Sequence, residues 1–262
     1  MKSLKYLIML LLTLSLEGVS AQCIVAHRGF HSADDAVQNS IAALDAAQRA
    51  KIDASECDVN ISRDGKLIVA HGPEHRSGDS IVRIDQTTFD ALRAMPLANG
   101  ETPPTFDEYL VQASKSSDTK LIVELKSQQN SELESTMTRL VLDELAQRAM
   151  QHEVIYISFS RHICSMIAQE LPTATVLYLN GDLTPDEAHA LAYSGINYHI
   201  SVLRNNTSWI ARAHELGMRV GVWTVNGRDD AVWCIENDID YITSDDPMMI
   251  RDVIQASKQT TN

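Results

Sequence analysis

The run Ala54-Ser-Glu-Cys-Asp-Val-Asn-Ile61 decides the reading of this chain. It has strand character, and alternate strand residues share a face, so Glu56 and Asp58 aim at one spot while Cys57 turns away. A second run, Lys120-Leu-Ile-Val-Glu-Leu-Lys126, repeats the device with Glu124 and Lys126 on one face. His27-Arg28-Gly29 closes a third run, Cys23 to Ala26, and His71 follows a fourth, Leu67 to Ala70. Strand ends therefore supply three carboxylates, two imidazoles and two permanent cations, a set that suits a metal ion and an anionic ligand better than an apolar core.

Outward from these runs, short β-rich segments alternate with helical patterns. The first helix is predicted over Asn39 to Lys51, with Ile41 and Leu44 on one face. Asp64-Gly65 signals a hairpin joining Ala54–Ile61 to Leu67–Ala70. The stretch 72–104 is polar, holds four of the seven prolines and shows a weak helix over Thr88 to Met95, so we expect an inserted cap over the mouth of the fold. Thr105 with Glu108, and Ser131 with Glu134, have capping-box spacing, and Thr184-Pro185-Asp186-Glu187 reads as another helix start. Leu133, Met137, Leu140, Val141 and Leu145 form an apolar helical stripe. Further strands are expected at 154–159, 175–179, 196–200, 219–224 and 241–243, and a last helix after Asp246-Pro247. With Leu67–Ala70 counted as a hairpin extension, eight strand-then-helix units result. That number favours a (β/α)8 TIM barrel, of class α/β, over an open doubly wound sheet. No G-x-G-x-x-G or P-loop pattern follows a strand, which weakens a nucleotide-binding reading.

Residues 1–21 read as a secretory signal peptide: Lys2 and Lys5, an apolar stretch from Tyr6 to Leu16, then Val19-Ser20-Ala21 for cleavage. The apolar part is short for a bilayer span, and Gln22 before Cys23 is a poor lipidation site. We expect an exported protein, periplasmic or secreted, with no stable membrane insertion after signal removal. Residues 22–262 are then one barrel domain. The net charge of −13 argues against a nucleic-acid partner but leaves room for a small anion held by local cations. Cys23, Cys57, Cys164 and Cys234 show no C-x-x-C spacing; three complete pairings are open, and burial as small apolar residues is the expected state. The oligomeric state is left open.

In a barrel of this kind the site lies at the carboxyl ends of the strands. Two like charges about 4 Å apart repel by about 4 kcal/mol at an effective dielectric near 20, so protons or a cation must join the carboxylates. One hard divalent ion with oxygen ligands, Ca2+ or Mg2+, matches Glu56, Asp58 and Glu124 better than zinc does. No basic residue adjacent in sequence answers Glu56 and Asp58, which favours a metal over a salt bridge. Arg28 offers a planar fork and Lys126 a point charge for a phosphoryl anion. His27 and His71 are left for proton transfer.

The ordered set His27-Arg28-Gly29, Asn39-Ser40, Glu56-Cys57-Asp58-Val59, Ser62-Arg63-Asp64-Gly65, His71, Pro104-Thr105-Phe106-Asp107-Glu108, Glu124-Leu125-Lys126 and Val222-Trp223-Thr224-Val225-Asn226 resembles the glycerophosphodiester phosphodiesterases. The likeness runs from about Ile24 to Met249. It implies a barrel with a cap after the second strand, a metal on Glu56, Asp58 and Glu124, acid–base roles for His27 and His71, and phosphate contacts from Arg28 and Lys126. The implied reaction converts a glycerophosphodiester, a small-molecule substrate, to an alcohol and glycerol 3-phosphate, by direct water attack or through a cyclic phosphate. Two positions depart from the pattern: Gln38 stands where the family often has Glu, and Gly72 where it usually has Asp.

Those departures motivate an alternative, a catalytically weakened barrel that binds phosphodiesters. A phospholipase D-like relative is a third reading, disfavoured by the polar run His75 to Asp79. A glycosidase is poorer, since two carboxylates on one strand face cannot flank a sugar bond. Trp223 reads equally as barrel filling or as an apolar wall against a substrate's glycerol. His31, His75, His152 and His199 are assigned no chemistry.

Overall fold

The computed structural model describes residues 22–260. Eight parallel strands form a closed ring with β3 appended: β1 (Cys23–Ala26), β2 (Ala54–Ile61), β6 (Lys120–Leu125), β7 (Ile155–Ser158), β8 (Thr175–Tyr178), β9 (Gly195–His199), β10 (Arg219–Trp223) and β11 (Tyr241–Ser244). Closure comes from β1, which pairs in parallel with both β11 and β2. β3 (Leu67–Val69) folds back antiparallel on β2, with Val59 opposite Val69, across the turn at Gly65. The (β/α)8 expectation holds.

The period of two along each strand sorts side chains between two cores. Val25, Ala54, Ile122, Ile155 and Leu177 pack together in one cluster inside the ring, while Cys57, Val59, Val123 and Tyr156 face the surrounding helices in the other. Asp58, Glu124, Ile157 and Leu177 occupy one register row across β2, β6, β7 and β8. The acids thus stand on two neighbouring strands, and the row continues as an apolar wall.

Between β3 and the helix Phe106–Ala113, the expected cap is a hairpin of β4 (Glu74–Ser77) and β5 (Ser80–Arg83), a 3-10 turn (Ile84–Gln86) and a short helix (Phe89–Arg93). Ile68, Ala70, Ile84 and Leu92 give it a small core of its own. The first helix is Ile41–Arg49, capped by Ser40, and Thr105–Glu108 and Thr184–Glu187 are complete capping boxes. The box expected at Ser131 is not formed. Asn130 is the N-cap, its side chain accepting from Leu133 N, because Glu134 turns inward to accept from Ser160 Oγ at 2.7 Å. The strand expected at 196–200 begins one residue earlier and gives Ile200 to a helix.

Cys57, Cys164 and Cys234 are buried and Cys23 is half-buried; all four are unpaired. No helix among the described residues is long and apolar enough to cross a membrane. The expected signal segment lies outside the described residues.

Candidate functional site

From the middle of β2 and the carboxyl end of β6, Glu56, Asp58 and Glu124 each bring a carboxylate oxygen within 4.8 Å of the others, and all three are buried. Their partners differ. Glu56 Oε2 accepts from Arg28 N at 2.8 Å, whereas its Oε1 is buried without a partner. Asp58 Oδ2 accepts from Asn39 Nδ2 at 2.8 Å, and Asp58 N donates to Asn39 Oδ1 at 3.0 Å. Lys126 Nζ lies 2.6 Å from Glu124 Oε1 and 3.3 Å from Asp58 Oδ1, and Arg28 Nε is 3.4 Å from Asp58 Oδ2. The cations missing from the immediate sequence around Asp58 are therefore supplied in space by the turn after β1 and the loop after β6, a correction to the linear reading. Among the described residues no cation forms an ion pair with Glu56.

The charges follow from this. Burial first, then Asp58 and Glu124, push Glu56 well above the usual carboxylate range. Burial and Asp58 push Glu124 up to about 7. Burial works against ionised Asp58 too, but Lys126 and the Asn39 hydrogen bond hold its carboxyl below the usual value. Like charges at this spacing repel by about 3–4 kcal/mol per pair at an effective dielectric near 20, so the trio retains protons where a divalent cation would bring positive charge. An all-oxygen donor set with an orphaned, buried Glu56 oxygen fits a hard cation.

Backbone geometry aims these groups. Arg28 (φ 55°) and Gly29 (φ 80°) are both left-handed, and the turn points Arg28 N at the Glu56 carboxylate and Gly29 N at Glu56 O, 3.0 Å away. A Cβ on Gly29 would stand 2.5 Å from Ala43 Cβ, so only glycine lets the turn press on the first helix. Asn39 is left-handed as well (φ 62°), a conformation asparagine tolerates, and its N donates to Arg28 O at 2.9 Å.

His27 is tied to the far end of the chain. Its Nδ1 donates to Asp245 Oδ1 at 2.7 Å, and His31 Nε2 donates to the same oxygen at 3.1 Å. Asn226 Nδ2 donates to Asp245 Oδ2 at 2.6 Å, and Asp245 N donates to Asn226 Oδ1 at 3.0 Å. Burial opposes the charge on Asp245, yet the hydrogen bonds from His27, His31 and Asn226 hold it down at about 2. An ionised carboxylate only accepts, so Nδ1 of His27 carries the hydrogen and Nε2 keeps its lone pair. Burial and Arg28 lower His27 below the ordinary value, with Asp245 partly offsetting them. Burial and Lys126 lower His71 to about 4.

One cavity of about 100 Å3 is lined by His27, Arg28, Glu56, His71, Glu124, Lys126 and Trp223, so seven of the eight expected site residues share it; the eighth, Asp58, lies behind, bound to Lys126 and Asn39. Trp223 fills the mouth of the barrel. Its Nε1 donates to Asn197 O at 2.9 Å inside the barrel, and its ring meets Phe159 edge-on at 5.5 Å to make an apolar wall.

Sequence reasoning missed Asp245, and with it the hydrogen bond that His31 makes there. The signal was Ser244-Asp245-Asp246-Pro247 at the end of the last strand, but two adjacent acids looked alike. Asp246 caps the last helix, its Oδ1 accepting from Met249 N at 3.0 Å, while Asp245 faces the histidines. His75 is buried with Nε2 2.8 Å from Met95 O, a satisfied structural histidine as expected.

The two departures also find local reasons. Gln38 Oε1 accepts from Arg28 Nη1 at 2.7 Å, so a neutral side chain steadies Arg28 without cancelling its charge. Gly72 is left-handed (φ 61°), and a Cβ there would meet Asn60 Nδ2 at 2.6 Å, itself donating to Ala70 O.

Residues 27–249 match the profile of the Glycerophosphoryl diester phosphodiesterase family. A crystal structure of a glycerophosphodiester phosphodiesterase from Parabacteroides distasonis is 32% identical, covers 91% of this chain and 98% of its own, and superposes with a TM-score of 0.87. YhdW of Bacillus subtilis is 26% identical over 240 residues, covering 87% of this chain and 96% of its own length. An Oleispira antarctica phosphodiesterase, solved with the product sn-glycerol-3-phosphate, shares the fold at 22% identity with a TM-score of 0.77, over 88% of this chain and 96% of its own.

Proposed function

Because the chain belongs to the glycerophosphoryl diester phosphodiesterase family and is a phosphoric diester hydrolase, we propose that it cleaves glycerophosphodiesters to an alcohol and glycerol 3-phosphate with His27 and His71 as its acid–base pair. The observation that carries this reading is the gathering of three buried carboxylates, two imidazoles and two cations around a single cavity. The glycerol 3-phosphate bound to the Oleispira antarctica protein accords with it.

In this reading Glu56, Asp58 and Glu124 hold one divalent cation, Ca2+ or Mg2+. When bound, the cation supplies positive charge that polarises a phosphoryl oxygen. Arg28 and Lys126 orient the phosphodiester, Arg28 steadied by Gln38 and Lys126 by the carboxylates. His27, its tautomer fixed by Asp245, takes the proton of the attacking water or glycerol hydroxyl at Nε2, and Asp245 stabilises the imidazolium that forms. His71 delivers a proton to the departing alkoxide. In the free protein Lys126 helps keep His71 at about 4; an anionic phosphodiester between them offsets that charge and raises the proton affinity of His71. Phe159 and Trp223 exclude water from one side. Lys2 and Lys5, the apolar stretch from Tyr6 to Leu16 and Val19-Ser20-Ala21 support reading residues 1–21 as an export signal, and the hairpin and short helix between β3 and Phe106 support reading 72–104 as the cap.

The test is turnover of glycerophosphodiesters by the purified protein, with glycerol 3-phosphate quantified before and after chelation. Release that stops on chelation and returns with Ca2+ or Mg2+ is expected. Tight substrate binding with no product under any divalent ion would favour the weakened-barrel alternative.

A further inference from the structure

The small cavity at the barrel mouth is not the only space beside the histidines. His71, Lys126 and Phe159 also line a larger groove, about 450 Å3 against about 100 Å3. One wall is the cap, contributing Pro73, Arg83 and Asp85; the other is the loop after β6, contributing Ser127, Gln128 and Gln129. Gln129 Nε2 donates to Asp85 Oδ2 and bridges the two walls. The mouth cavity has apolar sides at Ile157, Leu179 and Trp223, and its size suits a three-carbon glycerol with the phosphate at the carboxylates. The other ester arm must leave past His71, where the groove begins.

The groove's charges decide what that arm is. Asp85 is its one carboxylate, and it is committed: Arg83 Nε donates to Oδ1 at 3.1 Å and Nη2 to Oδ2 at 2.8 Å. The Asp85 side chain is 10% exposed and that of Arg83 43%. The exposed face of the pair is thus the guanidinium, with Nη1 unpartnered among the described residues. Ser127 Oγ is likewise without a partner among them, and Lys126 stands at the junction. A quaternary ammonium wants an aromatic cage or a free carboxylate; Phe159 is the groove's one aromatic ring. Hydroxyl groups, which both accept and donate, find donors in Arg83 and Ser127 and acceptor capacity in the amides of Gln128 and Gln129.

We propose that this groove receives the leaving alcohol, and that Arg83, Ser127 and Gln129 select a hydroxyl-rich headgroup, glycerol or inositol, over cationic choline or ethanolamine. The inference rests on glycerophosphodiester hydrolysis at the barrel mouth. The bond that breaks joins phosphorus to the headgroup oxygen. That oxygen takes its proton from His71 and departs in the groove-bound alcohol, while water supplies the replacing oxygen and restores the proton balance.

The experiment measures kcat/KM for glycerophosphoglycerol, glycerophosphoinositol, glycerophosphocholine and glycerophosphoethanolamine. Each value is divided by that for the methyl ester of glycerol 3-phosphate, whose arm is too short to enter the groove. Any general loss of folding or chemistry cancels in that ratio. Polyol headgroups should exceed choline by about tenfold, the discrimination a few hydrogen bonds provide. Arg83→Gln removes the cation that masks Asp85, so the polyol-to-choline ratio should fall severalfold; Ser127→Ala, which disturbs no cap contact, should lower the polyol ratio alone. Choline turnover equal to or above polyol turnover in the unaltered protein, or variants that leave every ratio unchanged, would overturn the proposal. Failure of all five substrates, the methyl ester included, would instead overturn the hydrolase chemistry assigned to the mouth.

Discussion

Asp245 shows how one side chain distant in sequence sets the state of another. His27 and Asp245 are 218 positions apart, yet the carboxylate fixes which imidazole nitrogen is free. Asp245→Asn keeps the volume and removes the charge, so kcat should fall on the order of 10²–10⁴-fold, the cost of losing a histidine's anionic orienter. KM should move far less. Because Asp245 raises the proton affinity of His27, the acid limb of kcat/KM, already below the ordinary 6.5, should shift to still lower pH in that variant. An unmoved limb would show that the pair does not act through the imidazole. His27→Ala and His71→Ala should each cost about 10²-fold or more in turnover if they transfer protons. Asp246→Ala is the neighbouring control: it removes a helix cap, costing about 1 kcal/mol in denaturant unfolding, with no change of rate.

Among the elements, the hairpin of β2 and β3 with the cap that follows is where local rules and the site meet. The alternation along β2 was legible in sequence, and so was the turn at Asp64-Gly65. The conformation at Gly72 was not, since a left-handed residue before Pro73 depends on how the cap seats against Asn60. Restoring the family's usual acid by Gly72→Asp should therefore destabilise the protein by about 1–3 kcal/mol, read as a lower urea midpoint, because it forces a left-handed backbone and a Cβ against Asn60. A neutral or stabilising result would mean the loop has another conformation open to it. The capping error has the same origin. Ser131 and Asn130 both suit an N-cap, and Glu134, drawn to Ser160 on the next unit, decided between them.

For the whole molecule, the buried acids link stability to pH and to metal. Glu124 and Glu144 are raised to about 7, chiefly by burial, and Glu56 is raised well above its usual value. A carboxyl with a raised folded pKa binds more protons folded than unfolded, so stability falls as pH rises toward that folded value. His27 and His71 are lowered and act oppositely, but only below the ordinary 6.5. Between about pH 6.5 and 8 the acids are unopposed, so the melting temperature of the chelated protein should drop across that window. A divalent ion at about 100 times its Kd at pH 8 should add about 2.7 kcal/mol, and the same concentration should add less at pH 6.5, where retained protons weaken binding. A flat melting profile without metal, or equal recovery at both pH values, would contradict the charge assignment.

What the sequence determined by itself was whatever follows from local period and local chemistry. A period of two put Glu56 with Asp58 and Glu124 with Lys126 on common faces, capping residues started the helices at Thr105 and Thr184, and the ordered motifs named the barrel and its carboxyl rim. Only the tertiary structure decided how charge is shared across that rim. Ring closure sets β1 beside both β2 and β11, which delivers Arg28 to Asp58 and Asp245 to His27, and docking of the cap against the loop after β6 creates the groove at Arg83 and Ser127. Such pairings depend on strand register and on how elements pack, and neither is written in the spacing of residues along any one element.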